Sequence, residues 1–92
     1  MKVYEVVVSW ASGEGAFVDT YLYTTEEKAR RSFNFEIVQA MQDYDCFDEQ
    51  TGELNECNWE LDKSDTHWEL WETGCYTSNY CLITITEKEV IE

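Results

Sequence analysis

Between residues 29 and 44 the apolar side chains Ala29, Phe33, Ile37, Ala40, Met41 and Tyr44 recur three and four positions apart, whereas residues 3–10 and 16–23 before them and 66–73 and 80–87 after them alternate residue by residue. The first spacing draws one stripe down an α-helix, and the second sends side chains to opposite faces of a strand. A single amphipathic helix among strands has few ways to bury its stripe. Lying across one face of an antiparallel sheet is the simplest, so the pattern predicts a two-layer α+β domain.

The strands follow from the alternation. Residues 3–10 turn Tyr4, Val6, Val8 and Trp10 one way and Val3, Glu5 and Val7 the other; apolar on both sides near the middle, this strand suits the interior of a sheet. Ser12-Gly13-Glu14-Gly15 is a turn cluster, and residues 16–23 resume with Phe17, Asp19, Tyr21 and Tyr23 opposite Ala16, Val18, Thr20 and Leu22, completing a hairpin. Thr24 or Thr25 can cap the helix: Thr24-x-x-Glu27 fits a capping box, and Glu26 and Glu27 complement the positive end of the helix dipole. The helix is expected to run to about Asp43.

Residues 66–73 predict a third strand, with His67, Glu69 and Trp71 opposite Trp68 and Leu70. Residues 80–87 predict a fourth, with Cys81, Ile83 and Ile85 toward the core and Leu82, Thr84 and Thr86 away from it. Residues 45–65 have no clean period and read as a long acidic loop, with at most a short strand or turn around Trp59 and Leu61. The expected order is therefore β-β-α-β-β, a four-stranded antiparallel sheet with one helix. Ninety-two residues leave no room for a second core, so residues 1–92 make one domain.

Charge narrows the function. With 43% hydrophobic and 15% aromatic residues, the chain is too apolar for an acidic disordered tail, yet its net charge is −14. Most of that sits in one segment. Asp43, Asp45, Asp48, Glu49, Glu53, Glu56, Glu60, Asp62, Asp65, Glu69 and Glu72 face a single base, Lys63, so residues 43–72 carry −10. Lys28, Arg30 and Arg31, half of the six bases, fall in the first two helical turns. The sign is wrong for direct binding to nucleic acid, and no basic amphipathic stretch exists for an anionic membrane. It suits a cationic protein partner, for which these eleven carboxylates are the expected binding residues.

The N-terminal MKVYEVVVSW alternates as a strand does and lacks the long apolar core and cleavage site of a signal peptide, so a cytoplasmic location is expected. Cys46, Cys57, Cys75 and Cys81 contain no CxxC spacing, and thiols are expected ahead of disulfides or structural zinc. Asp43-x-Asp45-x-x-Asp48-Glu49-x-x-Gly52-Glu53 looks like a calcium loop at first sight. It departs from the EF-hand pattern, which needs an oxygen ligand where Phe47 stands and glycine where Asp48 stands. No metal or cofactor is therefore expected.

Catalytic signals are weak. His67 is the only imidazole, and neither a glycine-framed nucleophile turn nor a phosphate loop is present. A metal-assisted enzyme would need His67 and several acids to converge. The expectation is a non-enzymatic binding protein.

Tryptophans interleave with the acids as Trp59-Glu60-Leu61, Trp68-Glu69-Leu70 and Trp71-Glu72-Thr73. Core packing with the glutamates turned outward accounts for this pattern. A tryptophan left exposed beside carboxylates would instead be an anchor with a charged rim, suited to arginine or lysine on a partner.

In size, acidity and β-β-α-β-β pattern the chain resembles the small phage-encoded inhibitors of bacterial defence, the anti-CRISPR and anti-restriction proteins that act as DNA mimics. It is also similar to small acidic proteins of phages and gut bacteria with a Thr-Glu-Glu-Lys-Ala helix start, here residues 25–29, and an Ile-Thr-Ile-Thr-Glu-Lys-Glu ending, here residues 83–89. The first resemblance implies an inhibitor, active in a bacterial host, that occupies the cationic DNA or RNA site of a nucleic-acid-binding protein such as a CRISPR effector or restriction enzyme. The competing expectation is an acidic structural or adaptor domain that self-associates, for instance as a homodimer, through an exposed sheet face or edge. A one-sided placement of the carboxylates favours the first.

Overall fold

The structure, a computed structural model, describes residues 1–12, 15–44, 46–48, 50–54, 59–73 and 79–90. Its elements in chain order are β1 (Lys2–Ser12), β2 (Gly15–Tyr23), α1 (Glu26–Asp43), β3 (Trp59–Lys63), β4 (His67–Glu72) and β5 (Tyr80–Glu89). All neighbouring strands are antiparallel, in the order β2-β1-β5-β4-β3. Helix α1 lies against β1, β5 and β2 on one face. The predicted α+β class and single helix hold, but the sheet has five strands where four were expected.

The added strand is β3, cut from the far end of the segment read as loop. Trp59 and Leu61 turn to the helix side of the sheet, where Leu61 stands opposite Leu70 of β4, while Glu60 and Asp62 turn the other way. Five residues with two apolar positions are too short a signal to stand alone. Pairing with β4 and burial beside Leu70 supply what local propensity does not. A further bridge between Phe47 and Leu54 folds part of the remaining loop into a tight turn.

The helix stripe is as expected. Ala29, Phe33 and Ala40 are buried, and Ile37, Met41 and Tyr44 pack partly buried around them. They meet Val6 and Val8 of β1, Trp68 and Leu70 of β4, and Cys81, Ile83 and Ile85 of β5, so the core is one layer between helix and sheet. Thr25 is the N-cap: its Oγ1 accepts from Lys28 N at 3.3 Å. The box from Thr24 to Glu27 is therefore not formed, and the Glu27 carboxylate takes Arg31 Nη2 at 2.6 Å one turn on instead.

Burial pushes the Cys81 thiol up to about 12, with Asp43 and Glu36 adding to the effect, so this cysteine behaves as a small core hydrophobe. Cys46 is buried too, and Cys57 and Cys75 lie outside the described residues. Among the described residues no helix is long and apolar enough to cross a membrane.

Among the described residues no helix lies on the opposite face of the sheet. Strand alternation and register place Val18 and Leu22 of β2, Val7 of β1, Leu82 of β5 and Trp71 of β4 on it. Val18 and Leu22 are each 64% exposed. This uncovered face runs from an apolar edge at β2 to an acidic edge at β3.

Candidate functional site

The acidic corner of the uncovered face is built by two rungs of the β3–β4 ladder. Asp62 pairs with Glu69, and Glu60 pairs with Trp71. Partners across an antiparallel ladder point the same way, and His67 precedes Glu69 by two residues, so all five side chains share the face. Tyr80 and Leu82 of β5 continue these rungs opposite Trp71 and Glu69.

Within that corner His67 Nε2 lies 3.5 Å from Glu69 Oε1 and 3.8 Å from Asp62 Oδ2. The three groups can bring one donor atom each to within 4.8 Å of one another. The Nε2 atom is itself shielded from solvent and has no hydrogen-bond partner among the described residues. Its separations from the carboxylates exceed the usual 2.7–3.2 Å of a hydrogen bond. The convergence of His67 with acids that metal chemistry would require is thus present, on the uncovered sheet face.

The other described acids of the run lie elsewhere. Asp65 is in the β3–β4 turn, where its backbone carbonyl accepts from the Arg30 guanidinium. Glu72 faces the helix side opposite Trp59, and Asn79 Nδ2 donates to its Oε2 at 2.9 Å. Asp43 ends the helix and lines a groove of about 240 Å³ with Asp19, Glu36 and Tyr44. There burial, reinforced by Asp19, raises the Glu36 carboxyl above its ordinary value.

Asp48 begins a turn: its Oδ1 accepts from Gln50 N at 2.8 Å and Thr51 N at 3.0 Å, and Gly52 closes the turn at φ 72°, where glycine is favoured. These bonds, from Thr51 first and then Gln50, hold the Asp48 carboxyl below its ordinary value. Within the segment that looks like a calcium loop, the Asp48 carboxylate is thus satisfied by the backbone of its own turn. Glu53 is exposed just beyond it, and Asp45, Glu49 and Glu56 lie outside the described residues. Of the eight predicted carboxylates among the described residues, Glu60, Asp62 and Glu69 are the ones gathered on the uncovered face.

The ion pairs are unevenly placed. Lys2 pairs with Glu87, Lys88 with Glu5, Arg31 with Glu27, and the N-terminal amine with Glu89, all outside residues 43–72. Inside that segment the described carboxylates find only His67 as an ion-pair partner among the described residues. Lys63, the one base of the run, turns to the helix side opposite Trp68 and lines a cleft of about 450 Å³ with Arg30, Phe33 and Met41. It does not shield the open corner.

The tryptophans divide as well. Trp68 is buried, Trp59 packs edge-on to Tyr44 with ring centroids 5.5 Å apart, and Trp10 stacks on Phe17 at 4.4 Å, all on the helix side. Trp71 alone of the four stands on the uncovered face, half-buried, with Glu60 and Glu69 beside it. Core packing therefore explains three tryptophans and leaves Trp71 as an aromatic group within an acidic rim. No protein-family model, curated protein or solved structure matches the chain.

Proposed function

We propose that this chain is a non-enzymatic acidic binding protein that occupies the cationic DNA or RNA site of a nucleic-acid-binding protein, an inhibitor of the anti-CRISPR or anti-restriction type acting in a bacterial cytoplasm. The observation that carries the reading is the segregation of charge. The bases neutralise acids on β1, β5 and α1, while five carboxylates around β3 and β4, those of Asp48, Glu53, Glu60, Asp62 and Asp65, are exposed. Duplex DNA offers one negative charge per ~1.7 Å of axis, and a folded surface dense in carboxylates competes for the same lysines and arginines. Steering by this field speeds encounter, and Trp71 gives the contact a desolvated centre that sets its lifetime.

Affinity capture on the immobilised chain from a bacterial lysate tests the reading, with bound proteins eluted by duplex DNA or by single-stranded RNA. Nucleic-acid-binding proteins released by nucleic acid at constant ionic strength support it. Capture that nucleic acid does not reverse counts against it.

A second reading, self-association, is favoured by β2. It is an outer strand of nine residues with one charge, Asp19, and with Phe17, Val18 and Leu22 each more than half exposed. Natural edges are usually blunted by charge, as the opposite edge β3 is by Glu60, Asp62 and Lys63. A second copy pairing antiparallel along β2 would extend the sheet and hold the two acidic ends at its far edges, where their repulsion is least. Sedimentation of the wild type against Val18→Lys decides it: a dimer lost on substitution supports pairing, and a monomer at high concentration excludes it.

A further inference from the structure

We propose that Asp62, His67 and Glu69 form a binding site for a divalent first-row transition-metal ion, of the Zn²⁺ class, on the uncovered sheet face. Two observations meet here. One is the donor set, an imidazole nitrogen and two carboxylate oxygens, brought together by the Asp62–Glu69 rung and the two-residue step from His67 to Glu69. The other is the state of His67 Nε2, shielded from water, without a hydrogen-bond partner among the described residues, and flanked by the two carboxylates at 3.5 and 3.8 Å.

Those separations are long for hydrogen bonds and close to what a shared ion needs. A tetrahedral ion bound at ~2.0–2.1 Å holds its ligand atoms ~3.3–3.4 Å apart, so the two separations from His67 Nε2 need shorten by only a few tenths of an ångström, while the two carboxylates, exposed or half-exposed, close on each other by rotamer adjustment. A buried polar atom left unpaired is costly, and coordination would remove that cost while balancing two like charges placed side by side. The mixed set decides the kind of ion. Imidazole selects first-row transition metals over Mg²⁺ and Ca²⁺, which prefer all-oxygen shells. Three protein ligands on an exposed face leave the remaining positions to water, which makes this a site for an exchangeable ion. Asp62 and Glu69 also belong to the surface of the partner reading, but metal binding by the chain alone is measured without a partner, so either reading can fail without the other.

The test is titration of the full chain with ZnCl₂, and separately with MgCl₂, followed by calorimetry and by the NMR signals of the imidazole, which belong to His67 alone because the chain has one histidine. One Zn²⁺ per chain is expected, with the imidazole signals shifting in step with binding and MgCl₂ without effect. His67→Gln should lower the affinity at least ~10-fold, the scale set by loss of even an outer-shell partner. Asp62→Asn, at an exposed position where the fold is not at stake, should weaken binding as well, and Glu60→Gln should leave it unchanged. Zinc that binds without moving the imidazole signals, or equally to His67→Gln, sits on other carboxylates or on thiols and overturns the proposal. So does an absence of binding, or Mg²⁺ binding of equal strength.

Discussion

Glu60 of β3 and Trp71 of β4 stand directly opposite each other in the ladder, so the one tryptophan on the uncovered sheet face has a carboxylate at its side. Trp68, three residues earlier in the same strand, turns to the other face and is buried against Phe47, with ring centroids 6.1 Å apart. Two tryptophans of one strand therefore stand on opposite faces of the sheet, one buried and one half-buried.

Unfolding in denaturant should separate them. Trp68→Ala is expected to cost ~3–5 kcal/mol, the range for removing a large buried aromatic side chain. Trp71→Ala, at a half-buried position, should cost ~1–2 kcal/mol from lost apolar burial and the cross-strand contact. Equal losses would mean that Trp71 is a core residue and not an anchor.

The helix offers a parallel contrast. Phe33 is 3% exposed and faces the sheet, whereas Phe35 is 60% exposed. Phe33→Ala should destabilise the fold by ~3–5 kcal/mol, and Phe35→Ala should stay within ~0.5 kcal/mol of wild type. Thermal or chemical denaturation of the two variants checks the assigned stripe, and a reversed order would contradict it.

The helix stripe was legible because six apolar residues repeat over sixteen positions, and the four longer strands because each alternates over eight. β3 was not legible: Trp59 and Leu61 are its only apolar positions, embedded among acids with low strand propensity, and its formation depends on β4. The candidate site inherits that difficulty. His67, Glu69 and Trp71 could be placed on one face from alternation alone, but bringing Asp62 and Glu60 to them requires the β3–β4 register, which a hairpin turn fixes and composition does not reveal. The acidic run includes Glu60, Asp62 and Glu69 of the uncovered face. It could not show that Asp48 would spend its carboxylate on a turn, or Glu72 on Asn79.

Alkaline pH should unfold the protein in a defined window. Burial raises the Cys81 thiol from 9.0 to about 12 and the Tyr44 phenol from 10.0 to about 12, each helped by nearby acids. Both stay protonated in the folded chain where the unfolded chain ionises, so the unfolded state binds fewer protons and stability declines as pH rises. Their contribution is whole below pH 9 and is lost progressively up to about 12. The denaturation midpoint should fall across this range, and less steeply in Cys81→Ala, which removes one of the two groups. A midpoint that stays level in wild type, or an equal slope in the variant, would show that the thiol is not held protonated by the fold.

Binding of captured partner by the triple variant Glu60→Lys, Asp62→Lys, Glu69→Lys, compared with wild type across a salt series, tests the central claim most directly. These side chains lie on the uncovered face and outside the core, so the variant should keep its fold by circular dichroism. The account predicts that wild type binds a nucleic-acid-binding protein with an affinity that falls steeply with salt and is competed by that partner's own nucleic acid, and that the variant does not bind. Retention by the variant at wild-type strength, or wild-type binding that persists at high salt with nucleic acid already seated on the partner, would contradict it.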